Sequence, residues 1–228
     1  MGTLIGKGAL ALWIDILPEA QDAADAWYIQ EHMPERIDVA GFHRARRYVA
    51  TEGSPRYFTL FEAETSDALA GEGYLSLVHR VSAATHQVRP AFRNVARMTF
   101  HISHSSGRGE GGLLATLRFA PLPGRAATLR TAILQQLAPA LAQNPRVVGV
   151  HLLEAAPEVR ARMDAVRETG GTDAGADWVL LAEATDPSDF APLRQAAAGL
   201  LTANGAAADT IFAIYAFQYS VAAPQGAS

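Results

Sequence analysis

The sequence predicts an α+β fold in which one chain carries two ferredoxin-like β-α-β-β-α-β repeats. Three observations predict it: the same order of strand-like and helix-like segments occurs twice, the two halves share short stretches of sequence, and strand-like segments carry apolar residues on both faces. A ferredoxin-like sheet has its helices on one face, so the other face needs a cover. We therefore expect two sheets that face each other and close into a barrel with helices outside.

The first repeat, residues 1–106, contains four predicted strands and two principal helices. A helix begins at Pro18, because the first helical turn leaves the N–H that proline lacks unused anyway. Pro34 is expected to end or kink this helix near His32. The second helix is expected over residues 75–88. The strands are expected at residues 8–17, 41–50, 56–64 and 95–104.

The second repeat, residues 113–228, follows a Gly-rich stretch at 107–112 that predicts a flexible linker. Tyr57–Ala63 in the first repeat is similar to Trp178–Ala184 in the second. A longer connection is predicted over residues 158–176, and the chain is expected to fray from Pro224. The second repeat's strands are expected at 113–120, 147–155, 177–185 and 210–220, and its helices at 125–142 and 191–202.

Composition excludes several classes of function. The 228 residues are 49% apolar, enough for a large core, and the net charge of −4 argues against sequence-independent binding of nucleic acid. The chain has no cysteine, which excludes disulfides, thiolate metal sites and a cysteine nucleophile. No run of about 18 uncharged apolar residues and no signal-peptide pattern occurs, so we expect a cytoplasmic protein without a membrane partner.

One stretch of the first repeat resembles a known superfamily. Trp27, Glu31, His32, Met33 and Pro34, followed by Gly41-Phe42 at the start of a strand, resemble the dimeric α/β barrel superfamily, in particular its EthD-like and antibiotic-biosynthesis-monooxygenase-like branch. In that superfamily single-copy chains pair to close the barrel. The resemblance therefore implies that this tandem chain closes its barrel internally, as a monomer or within a homodimer. The fold hosts many chemistries and does not itself define an activity.

His32 is the first candidate catalytic residue. The resemblance implies that it lies beside a pocket between helix and sheet, where it would be a general base or a hydrogen-bond anchor. Near a helix C-terminus, the helix dipole would favour its protonated form. The alternative is a capping histidine at the Pro34 break.

Arg44, Arg46 and Tyr48 are the other candidate catalytic residues. They share one face of a predicted strand, and an arginine there would bind an anionic substrate group inside the barrel. The alternative is ion pairing with Glu62 or Glu64 on the next strand.

Further pocket candidates are aromatic or basic side chains: Trp27, Tyr57, His79 and His101. His79 and His86 are expected on one face of the second helix, too far apart along it to bind one metal ion. No nucleotide-binding, α/β-hydrolase or HExxH motif occurs, so we expect no cofactor and no metal.

Three functional hypotheses follow. The first is a cofactor-independent enzyme, an oxygenase, isomerase or cyclase, that acts on a small apolar or aromatic compound. The second is a non-catalytic ligand-binding or stress-related protein. The third comes from the resemblance, since chlorite-dismutase-like proteins share the tandem barrel and hold haem by a histidine on a helix of the second half. Here the second half offers only His151, on a predicted strand, which disfavours haem.

Overall fold

A computed structural model describes residues 4–165 and 178–223 and has the predicted barrel. Eight antiparallel strands close in the order β1-β3-β2-β8-β5-β7-β6-β4. Each half contributes a four-stranded sheet, and the pairs β2·β8 and β4·β6 join the two sheets edge to edge. The strands are β1 (Gly8–Ile16), β2 (Phe42–Glu52), β3 (Tyr57–Ala63), β4 (Phe92–Gly107), β5 (Leu113–Phe119), β6 (Val147–Ala155), β7 (Trp178–Ala184) and β8 (Ile211–Ala222).

Of the two outcomes predicted at Pro34, an end or a kink near His32, the end does not occur: the first helix continues past Pro34, with an irregular segment before it. It consists of α1 (Gln21–Trp27), a π-helical segment (Tyr28–His32) and α2 (Met33–Ile37). The N–H of Met33 bonds to the carbonyl of Tyr28, five residues back. This wider turn accommodates a residue that has no N–H and whose ring would clash with an α-helical carbonyl.

The second half has the same device. A π-helical segment (Ile133–Leu137) lies between α5 (Ala126–Ala132) and α6 (Ala138–Ala142). The N–H of Ala138 bonds to the carbonyl of Ile133, and Pro139 follows as Pro34 does in the first half. The two halves therefore align through their prolines as well as through their strands.

The single helix expected over residues 75–88 is instead two helices, α3 (Glu72–His79) and α4 (Ala83–Val88). Arg80 is extended, and the Ser82 side chain caps α4 by accepting a bond from the Thr85 N–H. The face predicted to be common to His79 and His86 therefore does not exist. The remaining helices are α7 (Pro157–Asp164), α8 (Ala191–Ala198) and α9 (Leu200–Ala203).

The predicted connections are only partly described. Helix α7 occupies the start of the 158–176 connection, and residues 166–177, like those from Pro224 onward, lie outside the described residues. Strand β4 extends to Gly107, the first residue of the predicted linker. The Gly111 N–H then donates to Glu183, 3.0 Å away. The domain boundaries at 106 and 113 stay a prediction. No helix in the described parts is long and apolar enough to cross a membrane.

Three apolar cores hold the fold together. One lies between the outer face of the first sheet and its helices and also includes Val159 and Met163 of the segment Pro157–Asp164, and another lies between the second sheet and its helices. The third fills the barrel with buried side chains that include Trp13, Phe58, Phe100 and Tyr215. Large side chains therefore occupy much of the barrel interior.

Candidate functional site: a helix–sheet cavity in the first half

A cavity of about 90 Å³ lies between the first helix, α3 and the outer face of the first sheet. Apolar side chains of β1, β3 and β4 form its floor. Its polar lining is cationic or neutral and contains no carboxylate: Tyr28, His32, Arg36, Tyr74, Arg89 and Arg97. The cavity therefore has the character of a site for an apolar molecule that carries or develops negative charge.

His32 projects from the π-helical segment into a cluster of aromatic rings. Its ring centroid lies 4.0 Å from that of Trp27, 4.9 Å from Tyr28 and 6.2 Å from Phe61. Burial, followed by the positive charges of Arg36, Arg89, Arg47 and Arg97, lowers the pKa of His32 well below its usual value. The imidazole is therefore neutral at pH 7, and the same burial and charges reduce its basicity.

This charge state differs from the one expected from the sequence. A helix end at His32 would favour the protonated imidazole, but the helix continues to Ile37, which moves its negative end away. The guanidinium of Arg36 also bonds to the His32 carbonyl at 2.9 Å, one turn further along.

Trp27 joins the first helix to α4. Its indole N–H lies 3.1 Å from both Glu31 Oε1 and Thr85 Oγ1, and Ser82 Oγ also contacts Glu31. These bonds hold α4 against the first helix and fix the indole plane beside His32. Trp27 thus lines the cavity and also joins the first helix to α4.

Arg47 packs against Tyr28, which lines the cavity. Arg47 was not named as a candidate residue from the sequence. Its Cζ lies 3.8 Å from the Tyr28 ring centroid and 4.4 Å from that of Tyr57, and its Nη2 lies 3.0 Å from Asp25. Tyr57 therefore supports Arg47 and does not line the cavity. Strand alternation had placed Arg47 opposite Arg44 and Arg46, which was the available signal.

Arg44, Arg46 and Tyr48 face the barrel interior, on the other side of the sheet from His32. Arg44 makes two bonds to Glu62, at 2.9 and 2.8 Å. Arg46 lies 3.0 Å from Glu62 and 2.9 Å from Glu183, and the Tyr48 ring is 5.8 Å from its Cζ. The structure separates these three residues from His32, and the alternative of pairing with Glu62 describes their contacts.

The two other predicted histidines lie away from the cavity. His79 is exposed at the end of α3. His101 lies on the outer face of β4, where its nitrogens are 2.8 Å from Ser66 Oγ and 3.0 Å from Glu158 Oε1. Both contacts are those of a histidine that joins surface segments.

The second half has apolar residues where the first half has the polar lining. The alignment through the two π-helical segments sets Tyr28, His32 and Arg36 against Ile133, Leu137 and Leu141. All three of these aliphatic residues are buried in the second helix–sheet core. The helix–sheet space thus has polar side chains in the first half and aliphatic side chains at the matching place in the second half.

The residues do not fit a haem in the second half. His151 is fully buried inside the barrel, 2.8 Å from Ser105 Oγ and 3.4 Å from Glu183 Oε1, and no helix carries it. The helix–sheet space of that half holds Leu117, Leu152 and Phe190. No group of three potential metal ligands occurs in residues 4–165 and 178–223.

The eight-stranded barrel with outer helices and a helix–sheet cavity defines a dimeric α/β barrel fold. No family model and no curated protein matches the sequence. An anthrone oxidase-like protein of known structure superposes with a TM-score of 0.66 at 14% identity, covering 99% of this chain and 97% of its own. A protein assigned as a monooxygenase from Lactobacillus acidophilus gives 0.57 at 7% identity, covering 95% and 96%. One assigned as a chlorite dismutase gives 0.59 at 9%, covering 94% and 96%. At these identities the likeness establishes the fold.

The neutral state of His32 predicts that stability falls in mild acid. The pKa of His32 is lower in the folded chain than the roughly 6.5 of an unfolded one, so the unfolded chain binds more protons. The contribution of His32 to the free energy of unfolding is complete above about pH 6.5 and is lost as pH falls toward the pKa of the folded state. The free energy of unfolding then changes by up to about 1.4 kcal/mol per pH unit. Urea unfolding between pH 7.5 and 5 should show a shallower decline for His32→Gln than for wild type. His101→Gln should keep the wild-type decline, and identical slopes for all three proteins would contradict the assignment.

Proposed function

We propose that this chain is a cofactor-independent enzyme of the oxygenase type, which takes a small aromatic compound into the cavity beside His32 and removes a proton from it. The observation that carries the proposal is a neutral, buried imidazole in an apolar cavity whose charged lining is entirely cationic. A base that is neutral at pH 7 can accept a proton, and nearby guanidiniums stabilise the anion left behind. The likeness to an anthrone oxidase-like protein supports the same class of chemistry.

The substrate class proposed is an aromatic compound with a CH₂ group acidified by a conjugated carbonyl, as in an anthrone. His32 takes one proton from the CH₂, and the charge that moves to the carbonyl oxygen is stabilised by Arg36, Arg89 and Arg97. Molecular oxygen, the second substrate, accepts the carbanion's electrons and forms a C–O bond, and the resulting peroxide anion takes back the proton from His32 to give a hydroperoxide. Loss of the remaining hydrogen with cleavage of the O–O bond yields a ketone and water.

The small volume of the cavity supports a second candidate function, that of a non-catalytic ligand-binding protein. About 90 Å³ holds a few water molecules, whereas pockets for drug-sized ligands are roughly 300–1,000 Å³. A fused ring system therefore needs the side chains that line the cavity to move apart. If ligands bind in the cavity but no reaction is catalysed, the chain is a non-catalytic binding protein.

The deciding experiment measures binding and turnover on one protein. Anthrone should quench Trp27 fluorescence, and with a chelator present it should consume oxygen and give a ketone that carries label from ¹⁸O₂. Arg36→Leu, which installs the residue found at the matching position of the second half, should weaken both. Binding without label incorporation would establish the non-catalytic alternative. Absence of binding would overturn the choice of cavity.

A further inference from the structure

Arg118 of β5 is a buried cation inside the barrel, away from the cavity described above. Its residue exposure is 4%, and its Cζ lies 4.7 Å from the ring centroid of Trp13 on the opposite side of the barrel. Within the described residues it makes no ion pair with a carboxylate. Burial lowers its pKa, and Tyr215 acts against this effect.

Two hydrogen-bond donors are left without acceptors at this place. Nε of Arg118 and Nε1 of Trp13 are both buried, and neither has a partner in the part of the chain that the structure describes. Both groups can only donate, so they cannot satisfy each other. The nearby Tyr215 hydroxyl donates to the Pro55 carbonyl at 3.1 Å. Buried donors without an acceptor are rare in folded proteins, which points to a missing acceptor.

The other charged group inside the barrel shows what a compensated arrangement looks like in this protein. Two buried carboxylates, Glu62 and Glu183, balance the charges of Arg44 and Arg46 at distances of 2.8 to 3.0 Å, although Nε and Nη2 of Arg46 also lack a hydrogen bond within the described residues. Arg118 has the same kind of buried environment and lacks the carboxylate. An anion from solution would complete it in the same way.

We propose that the Arg118 end of the barrel binds a small monovalent carboxylate. A guanidinium binds a carboxylate through two parallel bonds, and the indole N–H adds a third donor from the facing wall. Trp13, Phe58 and Tyr215 are fully buried in the same interior core, so the anion proposed is a small one such as formate or acetate. This site is separate from the His32 cavity, because it lies inside the barrel, whereas the cavity lies outside it.

The test follows the ¹⁵N–¹H resonance of the Trp13 indole while acetate replaces sulfate at constant ionic strength. A saturable shift is expected for wild type, with affinity about tenfold or more weaker for Arg118→Met. Arg194→Met is the matched control, because Arg194 also stacks on an aromatic ring, Phe212 at 4.4 Å, but is exposed and paired with Glu52. It should leave the shift unchanged.

The proposal fails if the wild-type indole resonance does not move, or if it moves equally in Arg118→Met. A crystal grown in acetate that shows water on Arg118 Nε and Trp13 Nε1 would also overturn it. The wild-type titration needs no variant, so the test stands even if Arg118→Met does not fold. Oxygen consumption plays no part in this readout, so the proposal can fail or succeed separately from the proposed enzyme activity.

Discussion

For the proposed oxygen-dependent reaction, His32→Gln is expected to lower kcat by about 10²–10⁴-fold, the usual contribution of a general base. Glutamine is similar in size and can hold a hydrogen bond, so the ring cluster with Trp27 and Tyr28 should lose little packing. The amide has no basic nitrogen, and the proton of the substrate then has no acceptor in the cavity. Steady-state rates with anthrone should therefore show a large fall in kcat and a small change in KM.

The pH profile separates a base from a merely structural histidine. Because burial and the surrounding arginines depress the pKa of His32, wild-type kcat should hold through pH 6.5 and fall only in stronger acid. His101→Gln is the matched control, since that histidine joins Ser66 and Glu158 at the surface. It should keep both rate and profile. A His32→Gln variant with wild-type kcat would place the base elsewhere.

The fold was predictable because its signals are local and occur twice. Turn residues and strand alternation marked each strand, and Trp178–Ala184 repeated the pattern of Tyr57–Ala63. The course of the chain at Pro34 was not predictable from the general effect of proline in a helix. A π-turn depends on a hydrogen bond from Met33 to Tyr28, which no residue preference announces.

The candidate site was predictable only in part. His32 came from the superfamily resemblance, but Arg89 and Arg97 reach the cavity from a separate part of the chain and follow no spacing rule. Strand alternation grouped Arg44 with Arg46 correctly, yet it cannot say which face of a sheet buried on both sides turns inward. Aligning the two halves on Pro34 and Pro139 would have helped. That alignment shows that the polar residues of the first helix are matched by aliphatic residues in the second half.

Glu183→Gln is expected to destabilise the chain by about 3–5 kcal/mol, the cost of removing one partner of a buried ion pair. Glu183 is fully buried, and Arg46 reaches across the barrel to bind it while also lying against Glu62. The Gly111 N–H donates to the same carboxylate. A neutral amide leaves Arg46 with more positive charge than Glu62 can balance, and urea unfolding should show the loss directly.

The pH dependence of unfolding and the surface variant Glu52→Gln test the role of Glu183 further. Arg46 and His151 lower the pKa of Glu183 to about 2, so its stabilising effect is complete above about pH 4.5 and is lost as pH falls toward 2. In Glu183→Gln, the free energy of unfolding should not show the fall between about pH 4.5 and 2 that protonation of Glu183 causes. Glu52→Gln removes an exposed carboxylate from Arg194 and should cost only about 0–1 kcal/mol. Equal losses in the two variants would mean that the Arg46–Glu183 pair does not hold the halves of the barrel together.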